Sequence, residues 1–145
     1  MAKFKYSMQN ILEIKMKLET QAKNEFSIAN RKYQTEKDRL DELVLKRVGY
    51  ETRLKESLCG ELNIRDINNL KKDINSIKSA IRTQLSNVQK AEDELAIKRY
   101  ALNELMKERK THEKLREKKF DEFQKEERDN ESKEIDQLVS FTYNN

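Results

Sequence analysis

Proline and tryptophan are absent from this chain of 145 residues, and it has only two glycines and one cysteine. Without proline nothing forces a helix to break from within, and Gly49 and Gly60 leave long stretches free of any backbone interruption. A single cysteine cannot build a disulfide framework, which fits a reducing cytosol. The sequence also has no apolar run long enough to cross a bilayer and no signal-peptide core, so a protein that neither spans a membrane nor enters the secretory route is expected. A net charge of +4 is mild for a dedicated nucleic-acid binder. What is abundant is charge: 40% of residues are charged against 35% hydrophobic, a balance that supplies an apolar seam rather than the core of a two-layer domain.

The seam is plainest in residues 67–105. Every seventh residue from Ile67 is apolar: Ile67, Ile74, Ile81, Val88, Leu95 and Leu102. Three residues after each come Leu70, Ile77, Gln84, Ala91, Lys98 and Leu105. This is the a/d heptad of a coiled coil, whose 3.5-residue period keeps one stripe facing one partner helix. A second seam runs through Phe26, Tyr33, Leu40, Arg47 and Leu54 at a, with Ala22, Ala29, Glu36, Leu43 and Tyr50 at d.

Paired antiparallel, the two seams match a against d when facing residue numbers add to about 124. Phe26 then faces Lys98, Leu40 faces Gln84, Leu43 faces Ile81, and Ala29 faces Leu95. The fold point falls near residue 62, where Gly60 can end a helix and Asn63, followed by Asp66, can start one. The expected architecture is all-α: an antiparallel two-helix coiled-coil hairpin, one domain over residues 1–145. Helix one covers about 3–58, the tip about 59–63 and helix two about 64–138. By the same register Met1 is level with Phe123, so from about residue 123 the second helix projects beyond the first.

Three details complete this reading. Ile11, Ile14 and Leu18 stand one residue out of phase with the Ala22 seam, so a local change of winding is expected there. That basic amphipathic end could lie on a membrane surface, or complete helix one over the base of the hairpin; the second is the expectation. The projecting helix changes sign along its length. Residues 107–119 hold seven Lys or Arg against three Glu, and residues 121–136 hold eight acids against three bases. A charge run is usually a solvated face, but a sign switch on an unpaired helix also suits docking into a charged socket.

Nothing here looks catalytic. Cys59 has no neighbouring thiol or ligand, and His112 falls on the continued d line of the seam. No nucleophile–base pair, phosphate loop or ligand cluster occurs, so no enzyme activity, cofactor or metal is expected. Nucleic-acid binding through residues 107–119 would give steep salt dependence, but the acidic segment beside it opposes that role.

The opening Phe4-Lys5-Tyr6-Ser7-Met8-Gln9-Asn10-Ile11-Leu12-Glu13-Ile14-Lys15 resembles the start of the FliJ family of flagellar export proteins. The run from Ile74 through Ile77, Ala80 and Ile81 to Gln84 is similar to that family's central signature. So is the tail from Lys114 to Phe123 with Lys133-Glu134-Ile135-Asp136-Gln137 after it. The resemblance implies a non-enzymatic stalk in the hexameric ring of the flagellar export ATPase. It implies contact with the cytoplasmic domain of the export-gate membrane protein, and an escort role for export chaperones. Location would be cytoplasmic, peripheral to the inner membrane only through partners. By analogy the gate contact maps to Ile77, Ala80 and Gln84. The ring contact maps to Arg109, Lys110, Lys114, Arg116, Lys118 and Lys119. Asp73 departs from the family pattern, where an aromatic or large apolar residue is common, so the resemblance does not fix the extent of the gate patch. A stalk of a virulence-type secretion ATPase and a generic coiled-coil adaptor share the same architecture and are the alternatives.

Overall fold

The computed structural model describes residues 3–61 and 63–144, with the side chain of Asn144 excepted. Met1, level with Phe123 in the expected register, and Leu62 of the expected tip lie outside the described residues. The chain is an all-α two-helix hairpin, α1 being Gln9–Cys59 and α2 Ile64–Asn144. The described residues divide into two compact units, Ala22–Ala101 and a terminal one of Met1–Gln21 with Leu102–Asn145.

In the central unit the two helices run antiparallel along the heptad seams. All ten a and d residues of α1 between Ala22 and Leu54 are buried or half-buried, as are those of α2 from Ile67 to Lys98. Ala29, Ile74, Ile77, Gln84, Ala91 and Leu95 are the best covered, and no large side chain is wholly enclosed among the described residues. A two-stranded seam leaves both its edges open, so each Leu or Ile realises only part of the 1.5–3 kcal/mol (about) that full burial would give. Polar groups fix the register. Gln84 is buried and donates through Nε2 to the Glu36 backbone carbonyl at 2.8 Å and to Glu36 Oε2 at 2.5 Å. Its long amide thus reaches one turn beyond Leu40, the residue expected opposite. Around it, Lys32 pairs with Glu94 and Lys98 with Glu25, each at 3.3 Å, and the Arg99 guanidinium lies 5.8 Å from the Phe26 ring centroid. Arg47, the other charged seam residue, turns along its own helix to Glu51 at 2.9 Å.

The tip shows its local chemistry. Asn63 Oδ1 accepts from the Arg65 and Asp66 backbone N–H groups at 3.1 and 3.4 Å, the geometry of an N-cap. α1 ends at Cys59 without a left-handed residue, since no described glycine has positive φ. Gly60 therefore stops the helix through its low helix propensity and not through a left-handed cap.

In the terminal unit α1 begins at Gln9, later than the start near residue 3 expected from the pattern. Residues 3–6 are non-helical, and a turn closed by the Gln9 N–H bonding to the Tyr6 carbonyl at 3.0 Å leads into the helix. The turn lets Tyr6 become buried and sends Phe4 across α2, 5.1 Å from Phe120 and 5.5 Å from Phe123 between ring centroids. The expected change of winding does not occur. Leu12 and Glu19 are buried while Met8 and Lys15 are half-buried, which continues the Ala22 heptad in phase. Ile11, Ile14 and Leu18 are exposed instead. The apolar residues misled the phase because the seam here uses a carboxylate: Glu19 accepts a hydrogen bond from Arg109 Nε and is an a-position residue.

Candidate interaction surfaces

Three surfaces arise from this arrangement, and the first is the edge of α2 in the central unit. Ile77 and Gln84 are buried in the seam, and Ala80 beside them is half-buried. Heptad geometry explains the split: Ile77 and Gln84 are d residues, whereas Ala80 is at g, on the rim. Asp73, Ser76 and Thr83 are exposed on the same helix. A partner approaching this edge therefore meets Ala80 and its polar neighbours. Ile77 and Gln84 hold the rim in place from behind, Gln84 through its bonds to Glu36.

The second surface is the basic segment of the terminal unit. Lys110, Lys114, Arg116, Lys118 and Lys119 are exposed, and Lys119 makes a 3.6 Å pair with Glu122. Arg116 and Lys119 occupy a and d positions, yet they are solvated because helical α1 has already ended at their level. Arg116 lines a 430 Å³ recess with Phe4, Glu113, Glu117 and Phe120. Arg109 differs from the other five. It is half-buried, bonded to Glu19, and bidentate to Glu113 at 3.0 Å for both oxygens. The hydrogen bond to Glu19, then that to Glu113, raise its pKa above the ordinary arginine value, against the opposing effect of burial. Its charge is committed to the seam, so the free positive face is made by the other five residues.

The third surface is apolar, and the seam reading did not find it. α1 exposes Ile11, Ile14 and Leu18 on one side, and the end of α2 exposes Ile135, Leu138 and Val139 at i, i+3 and i+4. Every residue from 128 to 143 is exposed. The tail's apolar spacing was legible, but an acid count over residues 121–136 stops just where it begins.

Cys59 is an exposed free thiol. His112 is half-buried on the d line, and its buried Nδ1 has no hydrogen-bond partner among the described residues. No group of three or more His, Cys, Asp or Glu able to hold a metal occurs among the described residues. No described helix is long and apolar enough to cross a membrane.

Compared with curated proteins and with solved structures, the chain has no significant match in either set. A family model described as Flagellar FliJ protein matches residues 4–145, which takes in both helices, the tip, the basic segment and the apolar tail. The chain belongs to the FliJ family of flagellar proteins.

Proposed function

We propose that this protein is a non-enzymatic stalk of the flagellar export apparatus, its free helical end seated in the ring of the export ATPase. Family membership supports the setting, and the observation that carries the finer reading is the end of α2. There a single helix continues past the Phe4–Phe123 contact and is exposed throughout residues 128–143; a basic segment at 107–119 leads up to that contact and an acidic one at 121–136 carries on from it. A helix needs tertiary cover to be strongly stable. One whose end stays uncovered, and whose charge changes sign where it leaves the hairpin, is suited to insertion in a socket of complementary charge. In this reading Lys110, Lys114, Arg116, Lys118 and Lys119 face acidic groups of the ring, and Arg109 stiffens the helix on which they sit.

The gate protein's cytoplasmic domain meets the α2 edge at Ala80, positioned by Ile77 and Gln84, and export chaperones are cycled through the same cytoplasmic assembly at the membrane face. Escort needs only exchange of partners on an exposed helical surface, with no chemistry. The test is binding of the ATPase ring by the chain with Lys114, Arg116, Lys118 and Lys119 all changed to Glu. All four are exposed, so the fold should persist while ring affinity falls at least tenfold. The control changes Lys71, Lys72 and Lys78 near the tip to Glu and should bind as the unaltered chain does. Loss of binding in the control with retention in the first set would overturn the assignment of this end.

A further inference from the structure

We infer that the exposed apolar tail of α2 pairs with the exposed apolar strip of α1 in a second copy of this chain, giving a twofold-symmetric dimer. The strip is Ile11, Ile14 and Leu18, each between 41% and 56% exposed; the tail is Ile135, Leu138 and Val139, each between 59% and 66% exposed. Leu115, 37% exposed, holds the heptad position on α2 that Ile11 and Leu18 hold on α1, so it borders the same edge. Both faces belong to the terminal unit, and neither covers the other.

A chain cannot satisfy its own pair. Lys15 bonds Glu108 at 2.7 Å and Phe4 meets Phe120 edge to face, so the strip is level with residues 106–113 of α2. The centre of the tail is about 27 residues farther along, about 40 Å at 1.5 Å per residue, on a helix that is unbroken to Asn144. A second copy can supply it. With α2 antiparallel to its symmetry mate, a twofold axis near Phe123 lays each tail along the other copy's strip.

Charge locates the same axis independently. It sets Glu127, Asp129, Glu131, Glu134 and Asp136 of one copy against Lys110, Lys114, Arg116, Lys118 and Lys119 of the other. The sign of the charge switches at residues 119–121, within a few residues of the axis found from the apolar faces alone. The immediate flanks agree: Lys15 and Lys17 lie beside the strip, and acids outnumber bases six to two over residues 126–143. Such an isologous contact closes on itself and leaves no edge for further growth. With three apolar residues on each side of each contact, the dimer is expected to be weak, with a micromolar dissociation constant. It would cover the basic segment, so dimer and ring complex exclude one another; this consequence rests on the proposed ring contact, whereas the dimer itself does not.

The experiment is sedimentation equilibrium of the full chain over a concentration series, with Ile14→Asp and Leu138→Asp as variants. Both positions are exposed, and helical circular dichroism verifies that each variant remains folded. The unaltered chain should show a monomer–dimer equilibrium weakened by added salt, and each variant a dissociation constant raised about tenfold or more. An equimolar mixture of the two variants should recover part of the dimer. In the mixed pair, the strip of the Leu138→Asp chain meets the tail of the Ile14→Asp chain, and both of those are intact. A chain that stays monomeric up to about 300 µM contradicts the inference. So does a dimer that Leu138→Asp breaks and Ile14→Asp does not, which would mean tail against tail. A monomer that binds anionic vesicles through Ile14 would assign the strip to a membrane surface and overturn the dimer as well.

Discussion

Glu19 of α1 and Arg109 of α2 are bonded to each other inside the seam, Glu19 being 3% exposed. A heptad position that a coiled coil ordinarily fills with an aliphatic residue is occupied here by a carboxylate, matched by a guanidinium that also grips Glu113. The pair keeps α1 in phase where its exposed isoleucines suggest a slip. Removing the cation leaves a buried carboxylate without its main counter-charge. Arg109→Ala is therefore expected to lower the melting temperature clearly more than Lys114→Ala, whose exposed side chain buries little. Thermal denaturation followed by circular dichroism measures both. Equal effects would mean that Arg109 is only another solvated base.

Gln84 and Glu36 form the corresponding lock in the central unit. Double-mutant cycles on Gln84→Ala and Glu36→Ala should give a coupling of about 1 kcal/mol, as expected for one hydrogen bond to a charged group at a part-buried site. Additive effects would show the side-chain bond to be idle. Ala80→Asp, on the rim, should leave stability nearly unchanged and weaken gate binding; a variant that unfolds with its gate affinity intact would return this edge to the core.

Gly49 lies inside α1, ten residues before its end, and a β-carbon built there meets nothing within 4 Å. Gly49→Ala should stabilise the protein by about 1 kcal/mol through helix propensity and reduced freedom of the unfolded chain. A lower melting temperature would mean that the bare backbone at residue 49 serves a contact outside this chain.

With Cys59 changed to Ser, Ala29→Cys with Leu95→Cys should oxidise to a disulfide within one chain. Both residues are buried in the seam, and the register sets them opposite. Ala29→Cys with Gln84→Cys should not. Non-reducing electrophoresis distinguishes the pairs, and the reverse result would displace the register.

The hairpin was legible because its information is periodic. Ten seam positions on α1 and the seam of α2 could be read from the heptad spacing, which placed even Glu36, Arg47, Gln84 and Lys98 through their apolar neighbours, and Asn63 identified the tip by its capping chemistry. What escaped depended on exceptions to the hydrophobic rule. Leu12 and Glu19 carry the seam while Ile11, Ile14 and Leu18 face out, and only the partner Arg109, 90 residues away, explains the choice. Likewise Phe4 reads as a helical residue until the turn after Tyr6 swings it onto Phe120 and Phe123. Among the candidate contacts, residue type identified the basic face but could not tell Arg109, engaged in the seam, from Lys118, exposed a few turns on.

Site-specific photo-crosslinking to the assembled ATPase ring tests the central claim most directly. A photoreactive side chain at position 118 should give a covalent adduct with the ATPase, identified by mass, and the same side chain at position 72 near the tip should give none. An adduct at position 72 with none at position 118 would contradict the account, because the end of α2 would then lie outside the ring.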